Sequence, residues 1–145
     1  MFDATLRDVR VAVVGYGYWG PNLARNFYQL VGAQLAYVVD QDATALKRAQ
    51  QLYGCQTTTQ LDDVLADPTV DAVVIATPAR THYALARRSL DAGKHLLVEK
   101  PLTMAVGEAE ELVTVANAAG LTLMVGRVFE FNPAVAYIKR AIDSG

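Results

Sequence analysis

Short apolar runs alternate along the chain with stretches in which apolar residues recur every three or four positions. The first pattern fits buried strands and the second fits helices with one apolar stripe. Strands are predicted near 9–14, 34–39, 54–57, 71–76, 94–98 and 121–125. Helices are predicted near 20–31, 42–53, 60–66, 79–92 and 103–118, with a last one over about 133–143. Strand and helix in strict alternation imply an α/β protein: a doubly wound parallel sheet with helices on both faces and right-handed crossovers. The absence of a linker or repeat predicts one domain over 1–145.

Local signals sharpen these bounds. Leu23, Phe27, Leu30 and Val31 give the first helix an apolar stripe, and Ala105, Ala109, Leu112, Val113 and Ala116 give one to the helix near 103–118. Glu108, Glu110 and Glu111 lie mostly off that stripe and read as a solvated face. Gly54, Gly93 and Gly120 fall at or just beyond helix ends, where left-handed backbone is useful. Asn132 followed by Pro133 reads as an N-cap and first helical position, with Val135, Ile138 and Ile142 as the apolar face behind it.

The first strand runs directly into Gly15-Tyr16-Gly17-Tyr18-Trp19-Gly20. A Gly-x-Gly-x-x-Gly turn between strand and helix is a dinucleotide-binding fingerprint: Gly15 for the tight turn, Gly17 for close approach of a pyrophosphate, Gly20 for packing of helix on sheet. Pro21 suits a first helical turn, whose free N–H groups and positive dipole end would face the phosphates. Twenty residues beyond Gly20, Asp40 ends the second apolar run. A carboxylate there accepts hydrogen bonds from the adenosine ribose and repels a 2′-phosphate. Gln41, Asp42 and Ala43 follow it without a cation, so the expected cofactor is NAD rather than NADP, in a Rossmann domain of strand order 3-2-1-4-5-6. Asp40 has a second reading, as the cap of the helix starting near Asp42. Tyr16, Tyr18 and Trp19 either wall the cofactor groove or pack against neighbouring loops.

Composition narrows the class. Apolar residues make up 52% of the 145 and charged residues 19%, which is a globular balance. A formal charge of -2 and scattered basic residues argue against nucleic acid as the main partner. The uncharged stretch 112–126 is interrupted by Asn117, Gly120 and threonines and reads as helix, turn and strand, so no membrane segment is expected. The polar lead Met1-Phe2-Asp3 lacks an apolar signal core, and the lone Cys55 reads as a buried, inert thiol; a cytosolic location follows as the expectation. No set of His, Cys and carboxylates has metal-ligand spacing, so no metal is expected.

Two further loops fall at strand carboxyl ends: Ile75-Ala76-Thr77-Pro78 and Val98-Glu99-Lys100-Pro101. In an open α/β sheet that edge carries the ligand, so both should converge on the nicotinamide half of the cofactor. With Gly-Tyr-Gly-Tyr-Trp-Gly-Pro-Asn at 15–22, Ala-Thr-Pro-x-x-x-His at 76–82 and Glu-Lys-Pro at 99–101, the chain resembles the N-terminal half of the Gfo/Idh/MocA oxidoreductases. Tyr-Trp-Gly-Pro-Asn-Leu-Ala-Arg-Asn and Phe-Asn-Pro-Ala-Val look most like the branch that oxidises nucleotide sugars at C3.

The resemblance implies a dehydrogenase acting on a sugar or nucleotide sugar, with Lys100 as the acid–base residue beside the nicotinamide and Glu99 on its ribose. Cofactor contacts are then expected from Gly15, Gly17, Tyr18, Trp19, Gly20, Asp40, Gln41, Ala76, Thr77, Pro78, His82, Glu99 and Lys100. Lys100 also has a plainer reading, fixing its loop through Glu99 or a backbone carbonyl. His82, at a helix start, reads as an anchor of its loop rather than a catalyst, and His95 as structural. Pro101 is a candidate for a cis bond. Arg127 stands where relatives often carry histidine or tyrosine, and reads either as a substrate-anion contact or as part of a hinge. Family members continue into a second α/β domain that encloses the substrate and supplies much of the oligomer interface, so this chain alone is expected to bind nucleotide with little or no turnover. Two rival readings are a dinucleotide-sensing module without chemistry and a methyltransferase-like nucleotide-binding fold; Glu99-Lys100-Pro101 speaks against the latter.

Overall fold

The computed structural model describes residues 7–126 and 132–144. Six strands form one parallel sheet: β1 (Val9–Val14), β2 (Ala33–Val39), β3 (Gln56–Thr58), β4 (Ala72–Ile75), β5 (His95–Val98) and β6 (Leu123–Val125), in the order β3-β2-β1-β4-β5-β6. Between and after them run α1 (Gly20–Gln29), α2 (Ala43–Tyr53), α3 (Leu61–Ala66), α4 (His82–Asp91), α5 (Val106–Ala118) and α6 (Pro133–Asp143), with a 3-10 turn at Ala79–Thr81 ahead of α4. This is the Rossmann arrangement that the alternating pattern predicts.

Alternation of side chains along each strand feeds two cores, one on each face of the sheet. Val11 and Val13 of β1 join Leu35, Val38 and Val74 beneath Ala24 of α1 and Leu46 and Ala49 of α2. Ala12 and Val14 face the other way, with Val73, Ile75, Leu96 and Val98, under Leu61 and Val64 of α3, Ala86 and Leu90 of α4, and Leu112 and Ala116 of α5. β2 breaks the simple alternation. Val11 pairs with Leu35 but Ala12 pairs with Tyr37, so Ala36 is an extra residue and both Ala36 and Tyr37 face the same core.

Several helix bounds differ from the sequence expectation, for identifiable reasons. α1 stops at Gln29, because the chain reverses toward β2 through Leu30 and Val31 and through Gly32 at φ 85°; the two apolar residues are therefore exposed instead of core. Ala105 is extended and N-caps α5, and Val113 is exposed, which leaves Leu112 and Ala116 as the buried line. Glu111 is engaged rather than free, accepting from the Tyr83 hydroxyl at 2.8 Å and pairing with Arg87. The 79–92 segment divides into the 3-10 turn and α4. α2 and α6 begin as expected of capped helices: Asp42 accepts from Thr44 N–H and Asn132 from Ala134 N–H.

Two polar residues tie down the amino-terminal side of the sheet. The buried Lys94 ammonium donates to the carbonyls of Asp67 and Val70 at 2.7 and 2.8 Å, so its charge is met by backbone oxygen. His95 Nδ1 accepts from Thr122 N–H at 3.0 Å, a structural role, as expected. Cys55 lies in the core just before β3, and burial pushes its thiol above the usual cysteine range. Thiol titration of the native chain at pH 8 should therefore run at least about a hundredfold slower than in denaturant. Comparable rates in the two conditions would contradict the burial.

Candidate functional site

The carboxyl ends of the central strands form a continuous backbone ladder. Gly15 N–H donates to Val39 O, Ala76 N–H to Val14 O, Glu99 N–H to Ile75 O and Gly126 N–H to Val98 O, all at 2.8–2.9 Å. Each loop that the sequence nominates thus starts from a position fixed by its neighbour strand. In front of β1, β2 and β4 this edge opens into a cavity of about 610 Å³, lined by Gly15, Gly17, Tyr18, Trp19, Asp40, Gln41, Ala76, Thr77 and Pro78 among others.

The three glycines divide their work sharply. Gly15 has φ 92°, and a Cβ there would lie 2.7 Å from the Ala76 carbonyl oxygen and 2.9 Å from Thr77 Cγ2. At Gly20 a Cβ would be driven into the Gly15 carbonyl, so the first residue of α1 packs directly on the turn. Gly17 is different: nothing lies within 4 Å of where its Cβ would be. That residue lines the cavity, and its open side is the room that a diphosphate needs beside backbone N–H groups. Trp19, the N-cap of α1, makes no side-chain cap bond, and the first turn holds no acidic residue. An anion is left as the natural partner of that helix end.

Asp40 sits at the far wall with its carboxylate oriented by two backbone donors, Tyr16 N–H at 2.5 Å and Asp42 N–H at 2.8 Å. The cap of α2 is Asp42, so the capping alternative for Asp40 does not hold. Gln41 extends across to Thr59 O at 2.8 Å. Of the aromatic trio, Tyr18 and Trp19 line the cavity and meet edge to face at 5.6 Å. Tyr16 instead points into the core under α1 and α2, beneath the Arg48 guanidinium, and burial together with the neighbouring Tyr53 phenol pushes its own phenol up to about 12.

The second and third loops are joined by one residue. His82 is 1% exposed, with Nδ1 2.7 Å from Pro101 O and Nε2 2.8 Å from Thr77 O. It ties the loop after β4 to the loop after β5 and takes no place in the cavity lining. Thr77 is held as well, its hydroxyl 2.7 Å from that of Thr81, which in turn donates to Pro78 O. The Lys100–Pro101 bond is cis. Glu99 lays its carboxylate against Gly126, where an added Cβ would come within 3.3 Å of Oε1, and accepts from Lys100 N–H at 3.3 Å. Lys100 is exposed, forms no salt bridge among the described residues, and stands with Glu99 one strand beyond the main cavity.

Further lining comes from Thr59, Leu61, Arg80, Thr81 and Leu85, which no linear motif singles out. They reach the cavity because the end of β3, the start of α3, the 3-10 turn and the start of α4 lie beside the ends of β2 and β1 in space. Arg127 lies outside the described residues. Among the described residues no group of three or more His, Cys, Asp or Glu could hold a metal ion, and no helix is long and apolar enough to cross a membrane.

Two substitutions separate fold from site. Gly20→Ala should cost about 3 kcal/mol or more, because the clash is with backbone. Gly17→Ala should leave stability within about 0.5 kcal/mol yet weaken NAD at least tenfold, by blocking approach to charged-group hydrogen bonds. Urea unfolding and calorimetric titration read the two effects, and the reverse ranking would refute the division of labour. His82→Ala, which strips two carbonyls of the imidazole that joins their loops, should lower stability by about 2 kcal/mol in the same unfolding assay.

Comparison with known proteins agrees with this geometry. Residues 9–127 match the family model described as "Oxidoreductase family, NAD-binding Rossmann fold". UDP-N-acetylglucosamine 3-dehydrogenase of Acidithiobacillus ferrooxidans is 35% identical over 133 residues, 92% of this chain and 41% of that protein. The crystal structure of GenD2 from gentamicin A biosynthesis in complex with NAD superposes with a TM-score of 0.81 at 38% identity, over 86% of this chain and 36% of that one. KijD10, a 3-ketoreductase from Actinomadura kijaniata, solved as a point mutant in complex with TDP-benzene and NADP, gives a TM-score of 0.88 at 28% identity over 96% of this chain and 45% of that one. The chain spans about two-fifths of the length of the curated relatives it matches. By fold, glycine turn and sequence, the chain belongs to the Gfo/Idh/MocA oxidoreductase family and is its NAD-binding Rossmann domain.

Proposed function

We propose that this chain is the cofactor half of a dehydrogenase that moves a hydride between NAD and a hydroxyl-bearing carbon of a sugar or nucleotide sugar. The observation that carries the reading is the row of strand-end loops: an open-sided Gly17 and an uncapped α1, the oriented Asp40 carboxylate beside them, and the β5 loop Glu99-Lys100-Pro101 fastened to the β4 loop through His82.

Residue roles follow from that row. Backbone N–H groups of the glycine turn and the start of α1 hold the diphosphate, while Asp40 accepts from the adenosine ribose hydroxyls and disfavours a 2′-phosphate. Gln41, Ala76, Thr77 and Pro78 shape the groove between them, and Tyr18 and Trp19 form its outer wall. Glu99, on the β5 loop, takes the nicotinamide ribose in this reading. When bound, NAD supplies the hydride acceptor. Lys100 takes the hydroxyl proton as the carbonyl forms. The proton would end on the lysine Nζ and the electron pair would leave the carbon as hydride for that acceptor, so the step balances. Substrate enclosure and exclusion of water belong to the second domain of such an enzyme, and the 145 residues alone bind cofactor with little turnover. A soluble, cytoplasmic enzyme is the corresponding setting.

Calorimetric titration of the chain with NAD and NADP is the direct test. NAD should bind more tightly, and Asp40→Asn should narrow the gap by raising NADP affinity relative to NAD. In a two-domain enzyme built with this domain, Lys100→Met should lower kcat at least about a hundredfold with NAD affinity retained. Tighter binding of NADP by the native chain, or near-normal turnover of the methionine variant, would remove the corresponding role.

A further inference from the structure

We propose that Arg80 is a specificity-determining residue of the cofactor site, its planar guanidinium lying over the face of the adenine ring. The proposal rests on the dinucleotide reading above. Asp40, by accepting from the ribose, fixes where the adenosine sugar sits, and the base then extends into the adjoining part of the cavity. Gln41, Thr59 and Leu61 line that cavity together with Arg80 and Leu85. Leu61 and Leu85 offer apolar surface but no aromatic plane. The two aromatic residues of the lining, Tyr18 and Trp19, belong to the glycine turn.

Among the described residues lining the cavity, Arg80 alone carries a positive charge. It is exposed and joins none of the salt bridges found among the described residues, whereas Arg7, Arg87 and Arg88 are all paired with carboxylates. Its backbone, by contrast, is rigidly placed. Thr81 N–H and hydroxyl both bond to Pro78 O, Thr77 and Thr81 hydroxyls meet at 2.7 Å, and His82 is pinned to Thr77 and Pro101. A free planar cation on a fixed turn, in a cavity that Leu61 and Leu85 also line, matches a purine better than a phosphate. Guanidinium is weakly hydrated and stacks on π-faces, which an ammonium does far less well. The diphosphate already has the glycine turn and α1 for its partners.

The experiment compares wild type, Arg80→Ala and Arg80→Lys by calorimetric titration with NAD, ADP-ribose and nicotinamide mononucleotide, with thermal unfolding as a check on the fold. Stacking predicts that both variants weaken NAD and ADP-ribose by about five- to twentyfold and leave nicotinamide mononucleotide unchanged. Full affinity in Arg80→Lys with loss in Arg80→Ala would mean that charge alone matters and would overturn the stacking role. Unchanged affinity in Arg80→Ala would overturn any role. If wild type itself fails to bind NAD, the cofactor reading is at fault, an outcome the variants do not mimic.

Discussion

The structure depends on a steric constraint at the end of the central strand. β1 must leave the sheet, turn and start a helix within a few residues, while the β4 loop comes up against it from one side. Gly15 permits the backbone angle and leaves room for Ala76 and Thr77; Gly20 lets α1 sit on the Gly15 carbonyl. A side chain at either place would separate elements that are otherwise in contact. Because β1 is flanked by β2 and β4, that separation would spread to both neighbours and to both cores. The same crowding explains why the open flank of Gly17 is informative: in a turn packed this tightly, unfilled space has a use.

Electrostatics follow the same geometry. α2 and α6 carry side-chain caps, while α1, α3, α4 and α5 have none, and α1 is the one of these that starts from the glycine turn. Capping it internally would stabilise the helix by about 1 kcal/mol but compete with an anion for the same donors. Asp40 shows the complementary arrangement. Its carboxylate is held by donors from its own loop and from Tyr16, so its direction is set before any ligand arrives.

Much of this was legible in the sequence, since strand–helix alternation and glycine spacing are local properties of a buried parallel sheet. All six strands and their order follow from it, as do Asp40 at its strand end and His82 as an anchor. What the sequence hides is direction and long-range juxtaposition. Leu30 and Val31 continue the apolar stripe of α1 in spacing but fall in the reversing turn. Tyr16 looks like a groove residue beside Tyr18, yet the turn at Gly15 aims it into the core. Arg80 escapes notice because no linear motif contains it; the fold brings it to the cavity that Asp40 lines from forty residues further on.

The irregularity in β2 bears on how this fold tolerates change. Because Ala36 is an extra residue, Tyr37 shares its side of the sheet and everything after it, through Val38 and Val39 to the strand end, is displaced by one step relative to Leu35. The side on which Asp40 emerges is therefore set by this pairing with β1 and not by its count from Leu35. Losing Ala36 would leave Tyr37, Val38 and Val39 opposite Ala12, Val13 and Val14 in plain alternation, so a single codon can be removed at that place without turning the acid toward the opposite layer.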